Sequence, residues 1–369
     1  MEGFKEFVKK EAVVIISGLA ALISCLFVPA AKYIDYVDTD VLATLLSLML
    51  IIAGFKGNGV LAALSRRIVE KARITNTRRA LTAVSLLTFF LSMFVTNDAA
   101  LIALVPLTVI FFREYPSRLI YAVVVQTVAA NMGSMATPFG NPQNLLIFSS
   151  YNITAAEFFA ASLPTAAVSL AAVLVLCMLG KALPISFEGQ EETELGPSSY
   201  IMLYSVLFVL VLICIFTDMS IMTAFASVCL VVLIMEPERM FEVDYGLLIT
   251  FVFFFIFVGN IQRIDAVNSF ITEFVKDREF FASAALSQVI SNVPAAAVLT
   301  GFTDNWKAVM LGTDIGGLGT PVASLASLIS LRIYGETENA SMAKFLGIFT
   351  LINFVLLALI YLFALFTQF

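Results

Sequence analysis

The chain contains no histidine. That single absence removes imidazole metal ligands, histidine bases and histidine proton relays together. Charge is scarce too: 13% of the residues are Asp, Glu, Lys or Arg, where a soluble domain carries roughly a quarter. The few lysines and arginines form no basic patch, so nucleic acid is not an expected partner. Cysteine is limited to Cys25, Cys177, Cys214 and Cys229. Each stands alone in an apolar stretch, which implies no disulfide framework. No nucleotide-binding motif is present, so nothing in the chain draws work from ATP. No cofactor is expected; bound sodium ions stay open.

What is abundant is apolar length. Of 369 residues 60% are hydrophobic, and the mean hydropathy is +0.98. Apolar runs of membrane-crossing length recur along the chain, which predicts an all-α polytopic membrane protein of about nine full spans, with the lipid bilayer as its solvent. Spans are expected near 12–30, 40–55, 157–180, 200–216, 219–235, 244–261 and 343–367. Two polar, amphipathic pieces, Lys56–Thr77 and Ile261–Lys276, read as interfacial.

Two apolar segments, 79–95 and 99–112, are joined at Thr96-Asn97-Asp98 with no room for a loop. Arg78 and Arg79 precede the pair, and Arg113 and Arg118 follow it. Both outer ends therefore lie on one side, as in a re-entrant helical hairpin. Ser291-Asn292-Val293-Pro294 makes a second tight joint. With the N-terminus inside, only Lys32, Arg263, Lys276, Arg278 and Lys307 of the 21 lysines and arginines fall outside. That bias supports a cytoplasmic N-terminus.

Two polar breaks interrupt apolar sequence. Gly133–Asn144 reads G-S-M-A-T-P-F-G-N-P-Q-N, and Gly312–Pro321 reads G-T-D-I-G-G-L-G-T-P. Pro138, Pro142 and Pro321 lack the amide that a continuous helix needs. Asn141 and Thr320 are good caps, each followed by a proline suited to a first helical position. Both breaks are therefore read as discontinuous helices that restart in mid-membrane. Gly133 to Gly140 and Gly312 to Gly319 have equal spacing. Each break follows a hairpin centred on an asparagine, Asn97 or Asn292.

This is the pattern of an inverted-topology repeat. Residues 1–180 form the first repeat, with hairpin 79–112 and broken helix 117–150. Residues 181–199 are a cytoplasmic linker. Residues 200–369 form the second, with hairpin 278–304 and broken helix 305–334. Spans 12–30 and 219–235 hold matching places, so the first reads as structural. In the second hairpin, arms of about nine residues at 1.5 Å each reach roughly 13 Å, half of a ~30 Å core. Asn292 and Gly312 are thus expected near the midplane.

Free amides at half-helix N-termini suit anionic groups, and unwound carbonyls suit sodium or protons. Ser92 and Ser287 each lie five residues before a tip asparagine. They could complete a cation site, or bond back to their own helices. Asp98 and Asp314 are intramembrane acids, a costly placement that points to function. Asp98 could instead cap its hairpin arm; Asp314, among glycines, points to ion or proton coupling. No lysine or arginine reaches this zone. An anion would have to be held by dipoles and amides, or bound together with cations.

The motifs T-N-D-A-A-L-I-A-L-V-P-L (96–107), A-T-P-F-G-N-P-Q-N-L (136–145), S-N-V-P-A (291–295) and G-T-D-I-G-G-L-G-T-P-V-A-S-L-A-S-L (312–328) resemble the ion transporter superfamily. It includes citrate-type and dicarboxylate carriers, arsenite permeases and some sodium/proton antiporters. The resemblance implies an elevator mechanism in a homodimer. It implies one sodium site at Ser92, Thr96, Asn97 and the Gly133 region. It implies another at Ser287, Ile290 (by its carbonyl), Asn292 and the Gly312 region. The substrate would sit between, near Thr96, Asn97, Asp98, Thr137, Pro138, Asn141, Ser291, Asn292, Asp314 and Thr320. The resembling dicarboxylate carriers have Ser-Asn-Thr at both tips; here the tips read Thr-Asn-Asp and Ser-Asn-Val. Lost hydroxyls and a gained acid weigh against a di- or tricarboxylate.

The expectation is therefore a sodium- or proton-coupled secondary transporter in the inner membrane, moving a small anion or oxyanion, arsenite, antimonite or a carboxylate. A sodium/proton antiporter is the alternative. A remote one is an intramembrane enzyme using Asp98 and Asp314 as an acid pair, which would need the two carboxyls within hydrogen-bond reach or sharing one water.

Overall fold

A computed structural model describes residues 12–28, 33–71, 74–185, 195–217, 219–338 and 340–369. Lys5, Lys9, Lys10, Lys32, Arg73 and residues 186–194 of the 181–199 linker lie outside the described residues. The described chain is all helix, with no strand. The helices are α1 (Ala12–Phe27), α2 (Thr39–Gly57), α3 (Val60–Lys71), α4 (Thr77–Leu91), α5 (Asn97–Phe111), α6 (Pro116–Ser134), α7 (Pro142–Ser150) and α8 (Ala155–Leu179). Then follow α9 (Ser198–Phe216), α10 (Ile221–Met235), α11 (Tyr245–Ile261), α12 (Asp265–Val275), α13 (Glu279–Ile290), α14 (Asn292–Leu299), α15 (Trp306–Gly316), α16 (Leu325–Gly335) and α17 (Met342–Gln368).

Four described helices, α2, α8, α9 and α17, are long and apolar enough to cross a membrane, or five if the bent pair α11 and α12 counts as one span. The expected number of about nine is not reached because several apolar helices, α1, α5, α10, α13 and α16 among them, are short of full length. Apolar side chains stand exposed along α9 and α17, such as Met202, Leu359 and Phe366. In lipid such exposure is favourable, and the backbone's polar groups are satisfied within the helix. The chain is a multi-pass membrane protein. The second amphipathic piece, α12, turns off α11 by 104°.

Polar residues are placed inside out relative to a soluble protein. α6 is buried from Leu119 to its end except at Tyr121, and it holds Gln126, Thr127, Asn131 and Ser134 in its interior. Each of these finds a partner, as a group kept from water must. Gln126 bridges Thr88 of α4 and Thr108 of α5, and Thr127 donates to Ser330 of α16.

Buried apolar side chains gather in two large clusters. One joins α4–α8 to α13 and α15–α17. The other joins α2, α9, α10 and α11, and receives Leu145 of α7 and Val293 of α14 from the breaks and tips. Contacts between the halves are paired. α1 packs on α11 and α10 on α2; α5 packs on α16 and α14 on α7. Within the halves, α4 packs on α6 as α13 packs on α15.

Two joints differ from expectation. α4 stops at Leu91, so five residues, 92–96, connect it to α5. Asn97 is helical, the first residue of α5, and Thr96 caps it from extended backbone (φ −60°, ψ 152°). The second break also restarts late. Thr320-Pro321 leads only into a 3₁₀ turn, Pro321–Ala323, and α16 begins at Leu325. The reason is that the Thr320 hydroxyl donates to the Gln288 carbonyl of α13 instead of accepting from a helical amide.

Candidate functional site

The two tips share one local device. The Asn97 side-chain oxygen accepts from the Asp98 amide at 3.0 Å, and that of Asn292 accepts from the Val293 amide at 3.0 Å. Both asparagines are buried. The tips differ in backbone. Only Ser291 separates α13 from α14, with φ 76° and ψ 154°. That is a region left almost wholly to glycine, at a cost of about 1–3 kcal/mol. Pro294 lacks the amide that would bond Ile290, the last residue of α13, in a continuous helix. Ser291→Gly is expected to raise stability by about 1 kcal/mol by relieving this strain. Thermal unfolding in detergent checks it; a fall in melting temperature would give the serine hydroxyl the larger role.

The first tip is tied twice to the first break and once to the helix before it. The Asn97 amide donates to Gly140 O at 3.2 Å. The Thr137 hydroxyl donates to Met93 O at 2.7 Å. The Asn97 side chain donates to Asn131 Oδ1 at 3.2 Å. Pro138 is buried in the same stretch. Asn131 is a junction that sequence reasoning missed. Its Oδ1 also accepts from Ser324 at 2.9 Å, and its Nδ2 donates to Gly317 O at 3.4 Å. One asparagine of α6 thus joins the first tip to the second break. The available signal was an amide side chain two residues before Gly133, one turn beyond Thr127 on the same helix.

The two breaks also meet directly. Asn141 caps α7, its Oδ1 accepting from the Asn144 amide at 2.9 Å. Its Nδ2 therefore points away from the helix, and donates to Asp314 Oδ1 at 3.0 Å. Gln143 donates to the same oxygen at 3.3 Å. Asp314 is 2% exposed, and its Oδ2 has no hydrogen-bond partner. Gln288 is a second residue missed from sequence. It donates to Gly316 O and Leu318 O and accepts from the Thr320 amide, and so holds the second break against α13.

Ser92 and Ser287 both bond back to their own helices, to Phe89 O and Ser283 O. A β-carbon added at Gly133 would lie 2.4 Å from Ser92 Oγ, so Ser92 and Gly133 are adjacent. Gly312 is not the matching residue in the second half. It faces Phe280 and Ser283, and Gly316 is the glycine that touches Ser287. The equal glycine spacing is misleading by one helical turn, because α6 ends at Ser134, one residue after Gly133, whereas α15 runs on to Gly316, four residues past Gly312.

Asp98 does not cap its arm; Thr96 does, accepting from the Ala99 amide. The Asp98 Oδ1 has no hydrogen-bond partner. Asp98 lines a cavity of about 240 Å³ together with Thr96, Phe139, Asn141 and Leu145. Lys56, Glu242 and Asp244 line it as well, with Lys56 3.8 Å from Glu242. Arg239 bonds both Glu242 and Glu236, and Asn58 of the α2 end donates to Glu236 at 2.8 Å. Burial works to raise the Glu236 carboxyl, but the bonds from Arg239 and Asn58 outweigh it and hold it below the usual carboxylate range. Its contribution to stability is therefore complete above the unfolded value and lost as the pH falls through the folded one. Acidification should lower the melting temperature of the wild type more than that of Glu236→Gln; equal falls would contradict this. A second, wider groove of about 620 Å³ is lined by Asp40, Ser149, Asn152 and Thr217, and Leu145 belongs to both walls.

The model of the citrate transporter family CitMHS matches residues 5–305. The chain belongs to this family. It is thereby a member of the ion transporter superfamily, a transporter and not an enzyme, and the acid-pair alternative falls. Two relatives match this citrate transporter family member over more than four fifths of its length and a third over less than half. An uncharacterised transporter, MJ0456, of Methanocaldococcus jannaschii is 32% identical over 327 residues, 87% of this chain and 88% of its own. The inner membrane protein YbiR of Escherichia coli is 29% identical over 324 residues, 84% of each chain. The silicon efflux transporter LSI3 of Oryza sativa subsp. japonica is 28% identical over 164 residues, 43% of this chain and 33% of its own.

Proposed function

We propose that this protein is an ion-coupled secondary transporter of the inner membrane that moves a small oxyanion or its undissociated acid between the two tips. The observation that carries the reading is the direct bond from the first break to the second, Asn141 to Asp314, at a cavity that also reaches Thr96 and Asp98. The chain would be an inverted repeat with a cytoplasmic N-terminus, in two parts, residues 1–180 and 200–369, about the linker 181–199. The paired contacts between its halves support this. The two apolar clusters suit an elevator, a mobile core sliding on a dimerising scaffold of α2, α9, α10 and α11. Sodium sites at Ser92, Thr96, Asn97 and Gly133, and at Ser287, Ile290 and Asn292 with Gly316 beside them, are consistent with oxygens at both tips.

The cavity's charge bears on the substrate. Its one cation, Lys56, stands against Glu242, and Asp98 and Asp244 add two acids. A tricarboxylate would meet net negative charge. A neutral hydroxy acid such as arsenous or antimonous acid would not, and a relative named for silicon efflux fits the same chemistry. The acids also suit the second reading, a sodium/proton antiporter. Vesicles holding the protein should move arsenite or silicic acid in a way that collapses when the sodium and pH gradients are dissipated. Flux that persists without either gradient would overturn coupling. Sodium-driven proton movement with no solute added would favour the antiporter.

A further inference from the structure

We propose that Leu145 is the barrier residue of the transport path. With Phe139, Phe148 and Phe216 it forms a thin apolar wall between two cavities that open at opposite ends of α2, and its size keeps small polar solutes from leaking through. The proposal deepens the transporter reading above, and depends on neither the solute nor the coupling ion named there.

In α2 about 24 Å of helix separates Asp40 from Lys56. The 620 Å³ groove is lined at the first end by Asp40, Asn152 and Thr217, all exposed. The 240 Å³ cavity is lined at the other end by Lys56, Glu242 and Asp244, all exposed. α2 is long and apolar enough to cross a membrane, so water reaches the two mouths from opposite sides. Between the mouths the two spaces come within one side chain of each other. On α7, Pro142 lines the cavity, Ser149 lines the groove, and Leu145 lines both. Spacings of three and four residues put all three on one helix face. That face runs from one space to the other past Leu145. On α2 the change-over falls between Thr44, which lines the groove, and Leu45, which lines the cavity.

The wall is apolar. Leu145 is 3% exposed and belongs with Leu45 to one buried cluster. Beside it, Phe139 lines the cavity and Phe148 the groove. Both stand edge-on to Phe216 of α9, with ring centroids 6.1 Å apart in each pair. The Thr44 hydroxyl donates to Asp40 O at 2.7 Å, so its proton is already used. A polar solute crossing here would shed its water with no hydrogen bond in exchange, which is costly. Phe139, Leu145 and Phe148 come from the first break and its half-helix, and Phe216 from α9. The wall is thus built where these two parts of the chain meet.

The test is stopped-flow light scattering of vesicles holding the full chain, challenged with urea in sodium-free buffer at one pH on both sides. Wild-type vesicles should admit urea no faster than vesicles without protein. Leu145→Ala should admit it about tenfold faster, because a solute that keeps its water loses part of the crossing barrier. Leu145→Met keeps the volume and should match the wild type. Leu50→Ala is the control for loosened packing: Leu50 is fully buried in the same cluster and lines neither space. Where Leu145→Ala does not fold, Phe216→Ala, at a side chain already 37% exposed, takes its place with the same expectation. Overturning results are a wild type as leaky as Leu145→Ala, a truncated wall as tight as the wild type, or an equal leak in Leu145→Met or Leu50→Ala. Urea stands in for no transported solute, so a failure here is separate from a failure of gradient-driven flux.

Discussion

Asn131→Ala is expected to abolish gradient-driven flux and to lower the melting temperature more than alanine at either tip. Asn131 serves three buried partners at once: the Asn97 amide group, the Ser324 hydroxyl and the Gly317 carbonyl. Each buried polar group left unsatisfied costs about 1–3 kcal/mol, so the loss is about 4 kcal/mol if the three act partly together. Asn97→Ala removes one of these bonds, for about 1 kcal/mol. The larger effect is on function. The first tip, α6 and the second break would no longer be registered to one another, and the cavity wall at Thr96 and Asn141 depends on that register. Arsenite flux into vesicles and thermal unfolding measure the two effects. Asn131→Asp keeps an acceptor for Asn97 and Ser324 but loses the donor to Gly317, and should fall between. Wild-type flux in Asn131→Ala would remove the junction from the mechanism.

Gly133→Ala should be the most damaging single methyl. The added carbon would lie 2.1 Å from Phe89 O and 2.4 Å from Ser92 Oγ. The nearer atom is backbone and cannot rotate away, so α4 and α6 must part. Overpacking of this kind costs about 3 kcal/mol, and separating these helices also shifts the turn 92–96 that carries the first tip. Gly347→Ala is the control. It has nothing within 4 Å and lies within α17, where alanine gains about 0.5–1 kcal/mol over glycine. If both variants melt alike, close packing at Gly133 is not what holds the tip.

Much of the architecture was open to reading from the chain, for reasons that can be named. Apolar length marks helices in a membrane because only intrahelical bonding satisfies the backbone there. The Asn141-Pro142 restart was legible because capping is local chemistry, decided within four residues. Thr320-Pro321 carries the same local signal, and there it failed. Gln288, 32 residues earlier, takes both the amide and the hydroxyl of Thr320. A distant competitor cannot be seen in a tripeptide.

The glycine register failed for a related reason. Equal spacing along the chain suggested that Gly312 answers Gly133, yet α15 stays helical as far as Gly316, which places that glycine against Ser287. Sequence by itself determined the all-helical membrane class, the two polar breaks and the two asparagine tips. Those follow from residue type, which sets solvation and backbone donors wherever the residue lies. The tertiary structure decided which groups meet: Asn131 with Asn97, Ser324 and Gly317, and Asn141 and Gln143 with Asp314. Such pairings join residues up to 193 positions apart. They are set by how α6, α7 and α15 pack, which no local pattern encodes.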